Sequence, residues 1–342
     1  MKSAVSILSS RGWNDYFPVQ IVHEWEDVIS QELSMPLDGE SSIEIKNLSD
    51  RKKVKIFQKF VRRSFLIRHI DSSNNYLKKK YPGKLFLSFF LYPLPLVNHY
   101  IYNKNIIPIL LDCFADVIDK VPEYFKKSKF LFVTNVEVLA HLKKTAIANK
   151  IAFVPLSISD KYYRDKIPAK TLDVVQTGRQ NPILHEWMLQ LVNKHPHIEY
   201  VYSSVKDKQH NYFSTKRGWL GPIESRNEFM DFLATAKISL VSAPGIDGGE
   251  KRTGGFNPVT PRFYESAICY CYMVGRFPDS PDFIQNEVSS VCERPSDYHD
   301  FETMIVKMLR EPFIHRDKYE PFIQSHLTST IAKTIQEELK KL

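Results

Sequence analysis

Short apolar runs alternate with longer amphipathic runs along this chain, and the alternation starts again near its middle. Such alternation is typical of βα units, in which helices cover the faces of a parallel sheet. The chain has 342 residues, which is more than one ordinary hydrophobic core needs and enough for two α/β domains. We therefore predict two doubly wound α/β domains that are joined near residues 157–170.

The predicted elements follow these runs. The first half has predicted strands at 4–8, 42–46, 84–91, 106–111, 129–133 and 151–156, with helices near 53–69 and 136–148. The second half has predicted strands at 172–176, 199–202, 237–241 and 288–291, with helices at 185–194, 225–236 and 260–272. An amphipathic C-terminal helix is predicted from apolar residues that recur every four positions, at Leu327, Ile331, Ile335 and Leu339.

The net charge of the chain is +8, which suits anionic partners such as nucleic acid, acidic lipid headgroups or a phosphorylated small molecule. The basic residues are spread along the chain, in runs such as 51–53 and 78–80, and such runs are typical of a solvated surface. Peripheral docking on the anionic inner face of a membrane is the alternative. No nucleic-acid-binding module is recognisable, so we expect no nucleic acid partner.

The cysteines show neither the spacing of a metal site nor a C-x-x-C redox pair; they are Cys113, Cys269, Cys271 and Cys292. We expect reduced thiols in the core of a cytoplasmic protein. The N-terminus lacks the pattern of a signal peptide, and prolines and polar residues interrupt the most apolar run, 85–101. We therefore expect no membrane span.

The segment 248–265 carries the densest set of candidate binding residues. Thr260 is predicted to cap a helix whose first residue is Pro261. A glycine-containing loop that leads into a capped helix favours phosphate binding, because free N–H groups and the helix dipole face the anion. Glu265, just past the first turn, is placed to accept hydrogen bonds from ribose or sugar hydroxyls. The other candidates are Lys251, Arg252, Gly254, Gly255, Asn257 and Arg262. The alternative is a flexible surface loop before an ordinary helix.

Three segments resemble GT-B glycosyltransferases, particularly the group 1 and spore-maturation-type, family 4-like members. Residues 260–269, TPRFYESAIC, resemble the donor-site helix of that family, and residues 221–240 resemble the helix and strand that precede it. Residues 174–179, VVQTGR, resemble its V-x-x-G-R motif at the start of the C-terminal domain. Together these segments fall within residues 172–285.

The resemblance implies two Rossmann-like domains facing a cleft. It implies an N-terminal acceptor-side domain at 1–158 and a C-terminal nucleotide-sugar donor domain at 170–325. A C-terminal helix at 326–342 would cross back and pack on the N-terminal domain.

The resemblance also implies roles for single residues. Gly178 and Arg179 match the position near the donor diphosphate, and Glu265 matches the second glutamate of the family's E-x7-E motif. The first glutamate of that motif falls at Asn257, which supplies no charge. Tyr270 stands where the family has glycine after its A-C pair.

Candidates in the first half are isolated residues. Arg11, Gly12, Trp13 and Asp15 follow the first strand and are expected on the acceptor side, although a structural turn is the alternative. His99 and Asp112 are candidate catalytic groups, against the alternative of a structural histidine and turn chemistry. Glu265, in the second half, is the third candidate catalytic group.

The resulting prediction is a glycosyltransferase that moves a sugar from a nucleotide-sugar donor to a glycan, lipid-linked or other acceptor, in bacterial surface polysaccharide synthesis. Positive side chains would stabilise the leaving diphosphate, so we expect neither a metal nor a cofactor, and a retaining reaction is favoured. The alternatives are an inactive sugar-nucleotide-binding homologue and a GT-B sugar-nucleotide epimerase. A nicotinamide enzyme is excluded because no G-x-G-x-x-G follows the first strand.

Overall fold

The computed structural model describes residues 5–11, 17–38, 82–91, 105–206, 209–312 and 314–342. The chain divides into two compact units: unit 1 comprises Met1–Pro155 and Ala332–Leu342, and unit 2 comprises Leu156–Ile331. Each unit contains a β-sheet with parallel strands and helices, which confirms the predicted α/β class. The elements predicted at 42–46 and 53–69 lie outside the described residues.

Unit 1 is built on a five-stranded sheet in the order β1-β2-β3-β4-β5, and all neighbouring strands are parallel. Nearly every strand residue is buried, as expected where a parallel sheet is covered on both faces. The strands are β1 (Val5–Ile7), β2 (Leu85–Phe90), β3 (Ile106–Leu110), β4 (Leu131–Val133) and β5 (Ile151–Phe153). The described helices are α1 (Phe17–Leu33), α2 (Val121–Tyr124) and α3 (Val136–Leu142).

Unit 2 is built on a seven-stranded sheet in the order β12-β11-β10-β6-β7-β8-β9. Strands from β12 to β7 are parallel, and β8 and β9 extend the sheet as antiparallel strands. The strands are β6 (Leu172–Gln176), β7 (Tyr200–Lys206), β8 (Gln209–Ser214), β9 (Gly218–Pro222), β10 (Ala236–Ser242), β11 (Tyr272–Arg276) and β12 (Cys292–Glu293). The helices are α4 (Pro182–Lys194), α5 (Arg226–Thr235), α6 (Pro261–Ile268), α7 (Pro281–Gln285), α8 (Tyr298–Arg310) and α9 (Arg316–His326).

Strand β6 is the point in the sheet of unit 2 at which the order of the strands reverses. The chain places β7 on one side of β6 and later places β10 on its other side. In open α/β sheets, ligands bind outside the carboxyl ends of the strands at such a switch point. The loops after β6 and β10 are therefore where a binding site is expected.

Three predicted elements differ from the structure. The helix predicted at 136–148 ends at Leu142. The helix predicted at 260–272 ends at Ile268, and Tyr272–Arg276 form strand β11. Tyr270 adopts a φ of 52°, a left-handed conformation that stops a helix. The strand predicted at 288–291 is a 3-10 turn at Val288–Ser290, followed by β12. Short apolar runs occur in buried helices and in buried strands alike, so the spacing of apolar residues does not distinguish a helix from a strand here.

The predicted C-terminal helix is present as α10 (Thr328–Leu339). Of the apolar stripe, Leu327, Ile331 and Ile335 are buried, and Leu339 is half-buried. The residues from Ala332 onward belong to unit 1. The crossing of the last helix to the N-terminal domain, which the resemblance implies, stays a prediction.

All four cysteines are buried free thiols, as predicted. Among the described residues, no helix has both the length and the hydropathy of a membrane span.

Candidate functional site

A pocket opens in unit 2 at the carboxyl ends of β6 and β10, at the switch point of the sheet. It is partly open to solvent. Its lining comes from the loop after β6, from the loop after β10 and from helix α6: Arg179, Gln180, Asn181, Pro182, Ser242, Ala243, Pro244, Ile246, Gly249 and Arg262. Segments distant in sequence therefore meet at one place.

Helix α4 begins at this pocket. Asn181 caps it, since its Oδ1 accepts a hydrogen bond from the backbone N–H of Leu184 at 3.0 Å, and Pro182 is the first helical residue. The start of a helix of this length carries a partial positive charge and free N–H groups. The pocket therefore borders a feature that favours anions.

Arg262 reaches from α6 to the turn after β6. Gly178 in that turn has a φ of +69°, and a Cβ placed on it would lie 2.5 Å from Arg262 Nη1. Burial lowers the pKa of the Arg262 guanidinium. Among the residues that the structure describes, none forms a hydrogen bond or salt bridge with this guanidinium. A positive group thus lines the pocket, and the charges of Glu265 and Glu250 act on it without a direct hydrogen bond.

Gln180 adds a second donor. Its Nε2 is buried and has no hydrogen-bond partner within the described part of the chain. A buried donor without a partner is costly unless a ligand or water accepts from it. Gln180 is not among the residues predicted from the sequence, although it directly follows the Gly178-Arg179 pair.

Glu250 lies between two of the predicted donor-site arginines. Its Oε2 accepts a hydrogen bond from Arg179 Nη1 at 2.6 Å, and its Oε1 accepts from Arg252 Nε. Burial raises the pKa of Glu250, but the two guanidinium groups outweigh burial and hold this pKa below its ordinary value. Glu250 is therefore ionised at neutral pH. Glu250 is not among the site residues predicted from the sequence.

Asp247 fixes the loop after β10. Arg276 at the end of β11 donates to it twice, from Nε at 2.5 Å and from Nη2 at 2.9 Å, and Asn181 Nδ2 donates at 2.8 Å. The hydrogen bond from Arg276 is the main reason that the pKa of Asp247 is lowered. Asn181 therefore caps α4 and also joins it to the loop that forms the opposite wall of the pocket.

Glu265 forms a buried ion pair that the sequence does not predict. It accepts a hydrogen bond from Arg226 Nη1 of α5 at 2.5 Å, and the two side chains are 7% and 4% exposed, in the order Arg226 and Glu265. Its contact with ribose or sugar hydroxyls stays a prediction.

The remaining donor-site candidates lie on the segment that leads into α6. Lys251 and Arg252 are in a 3-10 turn, and Gly254 and Gly255 follow it with φ values of 58° and 96°. Asn257 donates from Nδ2 to the carbonyl of Gly255 at 2.8 Å.

The predicted start of α6 is confirmed at Pro261, with Thr260 at the capping position. The Thr260 side chain does not cap the helix, however. Its Oγ1 is buried and has no hydrogen-bond partner among the residues described.

In unit 1, Arg11 is held by helix α1. Its Nη2 donates to the carbonyl of His23 at 2.9 Å and lies 2.8 Å from Asp27 Oδ1 and 3.4 Å from Glu26 Oε2. Glu26 is 1% exposed and also accepts from Ser9 Oγ at 2.5 Å. Burial raises the pKa of Glu26 to about 7, against the lowering effects of Ser9 and Arg11.

Asp112 follows β3 and is half-buried; its backbone N–H donates to the carbonyl of Leu91 at 2.8 Å. Gly12, Trp13, Asp15 and His99 lie outside the described residues. In the described part of the chain, no group of three or more His, Cys, Asp or Glu side chains has the arrangement of a metal site.

Solved structures with a similar fold include a putative UDP-N-acetylglucosamine 2-epimerase from Listeria monocytogenes. It matches with a TM-score of 0.55 and 8% identity, over 99% of this chain and 96% of that one. TarM matches with a TM-score of 0.53 and 15% identity, over 78% of this chain and 57% of that one. S. aureus TarM in complex with fondaparinux, α-GlcNAc-glycerol and UDP matches with a TM-score of 0.50 and 13% identity, over 78% and 58%.

The match to TarM spans less than three fifths of the length of that protein. No protein-family model matches the chain, and no curated protein matches it. At these identities the likeness concerns the fold alone. Taken with the two parallel-sheet units, it shows that the chain has the GT-B fold.

Proposed function

We propose that the protein is a glycosyltransferase that transfers a sugar from a nucleotide-sugar donor. The observation that carries this proposal is the convergence of Arg179, Arg262 and the start of α4 on one pocket at the switch point of unit 2. Guanidinium groups bind phosphate oxygens through paired hydrogen bonds, and a helix start adds N–H donors. A diphosphate is the ligand that best suits this combination.

The chemistry of transfer needs such a site. When the bond between the sugar and the diphosphate breaks, negative charge develops on the leaving phosphate oxygen. Fixed positive groups stabilise this charge without a metal ion. Arg179 and Arg262 have this role in the proposal, with Gly178 providing the space that Arg262 fills.

The segment 251–265 is proposed to hold the rest of the donor. Lys251 and Arg252 would add positive charge, and Gly254 and Gly255 would let the backbone approach the donor closely. Asn257 and Glu265 are proposed for hydroxyl contacts, the latter only if it exchanges its ion pair with Arg226 for a contact with the sugar or ribose.

The acceptor is proposed to be a glycan or a lipid-linked sugar, and unit 1 to be the acceptor side. The proposal includes membership of the group 1, family 4-like glycosyltransferases, a role in bacterial surface polysaccharide synthesis and a retaining reaction. It also includes a cytoplasmic location with peripheral membrane contact, and no nucleic acid partner. If the reaction is inverting, Asp112 and His99 are the candidate bases.

The names of the similar structures agree with a nucleotide-sugar ligand. One TarM structure contains UDP and α-GlcNAc-glycerol, and another neighbour is described as a putative UDP-N-acetylglucosamine 2-epimerase. The epimerase covers nearly the whole of this chain and is itself covered over 96% of its length. Sugar-nucleotide epimerisation is therefore the second candidate function.

The test is to incubate the protein with UDP-, GDP- and other nucleotide sugars, with and without glycan and lipid-linked acceptors, and to identify the products. Nucleotide release that depends on an acceptor supports transfer, whereas a changed sugar on an intact nucleotide without any acceptor supports epimerisation. Arg262→Gln should weaken nucleotide binding at least about tenfold, since it removes a charged hydrogen-bond donor. Arg310→Gln, an exposed change on α8, is the control. Failure of the protein to bind any nucleotide would contradict the proposal.

A further inference from the structure

Glu250 places a carboxylate at the rim of the pocket that is expected to bind an anion. Its partner Arg179 lines the pocket, as does the preceding residue, Gly249. The side chain of Glu250 is 16% exposed, whereas that of Arg179 is 52% exposed. The carboxylate is therefore the more enclosed member of the pair.

The backbone holds this carboxylate in place. The N–H of Glu250 donates to the carbonyl of Pro244 at 2.6 Å, and its own carbonyl accepts from the N–H of Thr253 at 3.2 Å. Gly249 has no room for a side chain, because a Cβ there would lie 2.3 Å from the Pro244 carbonyl oxygen. The tight turn fixes Glu250, so its negative charge is a permanent part of the site.

The charged groups around Glu250 can be counted. Arg179 and Arg252 donate hydrogen bonds to Glu250. The charges of Glu250 and Arg179 both act on the guanidinium of Arg262. These three guanidinium groups and this one carboxylate together carry two positive charges, and the exposed side chain of Lys251 follows Glu250 on the same loop. The Arg226–Glu265 ion pair adds none.

The two nucleotides in a transfer reaction differ in charge. The diphosphate of an intact nucleotide sugar is esterified at both ends and carries about two negative charges. A free nucleoside diphosphate ends in a phosphate whose second pKa is near 6, so it carries about three negative charges at neutral pH. A fixed carboxylate repels the second ligand more strongly than the first.

We infer that Glu250 is a built-in counter-anion that matches the pocket to the doubly charged diphosphate of an intact nucleotide sugar. It competes with the ligand for Arg179 and weakens the hold of the site on the nucleoside diphosphate that transfer leaves behind. Glu250 thereby sets the preference for donor over product. This inference rests on the proposed function of the pocket.

The test is isothermal titration of the wild-type protein and of Glu250→Gln with UDP and UDP-N-acetylglucosamine, with GDP and GDP-mannose, and with inorganic pyrophosphate. Removal of the carboxylate should raise the affinity for the nucleoside diphosphate about tenfold and raise the affinity for its nucleotide sugar clearly less. Glu186→Gln makes the same change of charge at an exposed position of α4 and should change each affinity less than about twofold.

Two further variants guard against an effect of misfolding. Glu250→Asp keeps the charge and should keep the wild-type preference for donor. Arg252→Gln removes one positive charge and should have the opposite effect, a larger loss of affinity for the nucleoside diphosphate than for the nucleotide sugar. Circular dichroism and thermal unfolding of each variant check the fold.

Equal gains for both ligands in Glu250→Gln, or no gain beyond that of Glu186→Gln, would overturn the inference. Binding with the expected preference but without any transfer would contradict the proposed function and leave the role of Glu250 supported. If the wild-type protein binds none of the five ligands, the proposed function and the inference are both overturned.

Discussion

Arg262 Nη1 occupies the space that a side chain on residue 178 would need, because a Cβ on Gly178 would lie 2.5 Å from it. The glycine therefore serves two purposes: it permits a φ of +69°, and it leaves room for the guanidinium at the pocket. Few substitutions are compatible with both.

Gly178→Ala is accordingly expected to weaken nucleotide binding by at least about tenfold, since the methyl group displaces Arg262 from the pocket. Gly218→Ala is the matched control: its φ is +74°, and nothing lies within 4 Å of the added Cβ. Both variants should lose roughly 1–2 kcal/mol of stability from the left-handed backbone. Titration with UDP and GDP measures the difference, and equal affinities for the two variants would show that Arg262 is not displaced.

Glu265→Ala is expected to lower the free energy of unfolding by about 3–5 kcal/mol, because it removes the carboxylate that balances the buried charge of Arg226. Replacing both residues together, as Arg226→Met with Glu265→Leu, should cost less than the single change. Glu186→Ala, at an exposed position, serves as the control. The measurement is chemical denaturation followed by circular dichroism. An unchanged midpoint for Glu265→Ala would instead favour a role limited to ligand binding.

The stability of the protein should depend on pH through Glu26. Its pKa is about 7 in the folded state against an ordinary value of 4.5, so the folded state binds the proton more tightly. The favourable contribution is full below pH 4.5 and is lost as the pH rises through 7, by up to about 3 kcal/mol. Thermal unfolding of wild type and Glu26→Gln between about pH 4 and pH 8, an interval that includes both pKa values, tests this. The wild type should lose stability relative to the variant as the pH rises, and parallel curves would contradict the expectation.

The C-terminal helix is expected to stabilise unit 1. Ile335 is 1% exposed in the part of α10 that belongs to this unit. Ile335→Ala should therefore cost about 2–5 kcal/mol, while Lys333→Ala, an exposed change on the same helix, should cost little. Limited proteolysis with mass spectrometry locates the loosened region. Removal of residues 326–342 should expose unit 1 further, and unchanged protection of unit 1 after this truncation would contradict the expectation.

Transfer activity is expected to survive EDTA, because guanidinium groups rather than a metal ion would stabilise the leaving diphosphate. The measurement is the rate of nucleotide release in buffer, in EDTA, and in EDTA followed by manganese. A complete loss of activity that manganese restores would assign the diphosphate to a metal-dependent site.

The sequence by itself determined the α/β class, the two units and the buried state of the four cysteines, because these follow from local alternation and from composition. It also placed the start of α6 at Pro261, since capping chemistry is local. It did not predict strand β11 at Tyr272–Arg276, because a short apolar run occurs in buried helices and buried strands alike.

Tertiary structure alone decided which distant residues meet. The order of the strands brings the loops after β6 and β10 together, and only this order makes Arg179, Gln180 and Arg262 line one pocket. The same packing pairs Glu265 with Arg226 and sets Glu250 against Arg179. Periodicity and motif spacing describe neighbours along the chain, whereas these contacts depend on how separate elements pack, which no local pattern encodes.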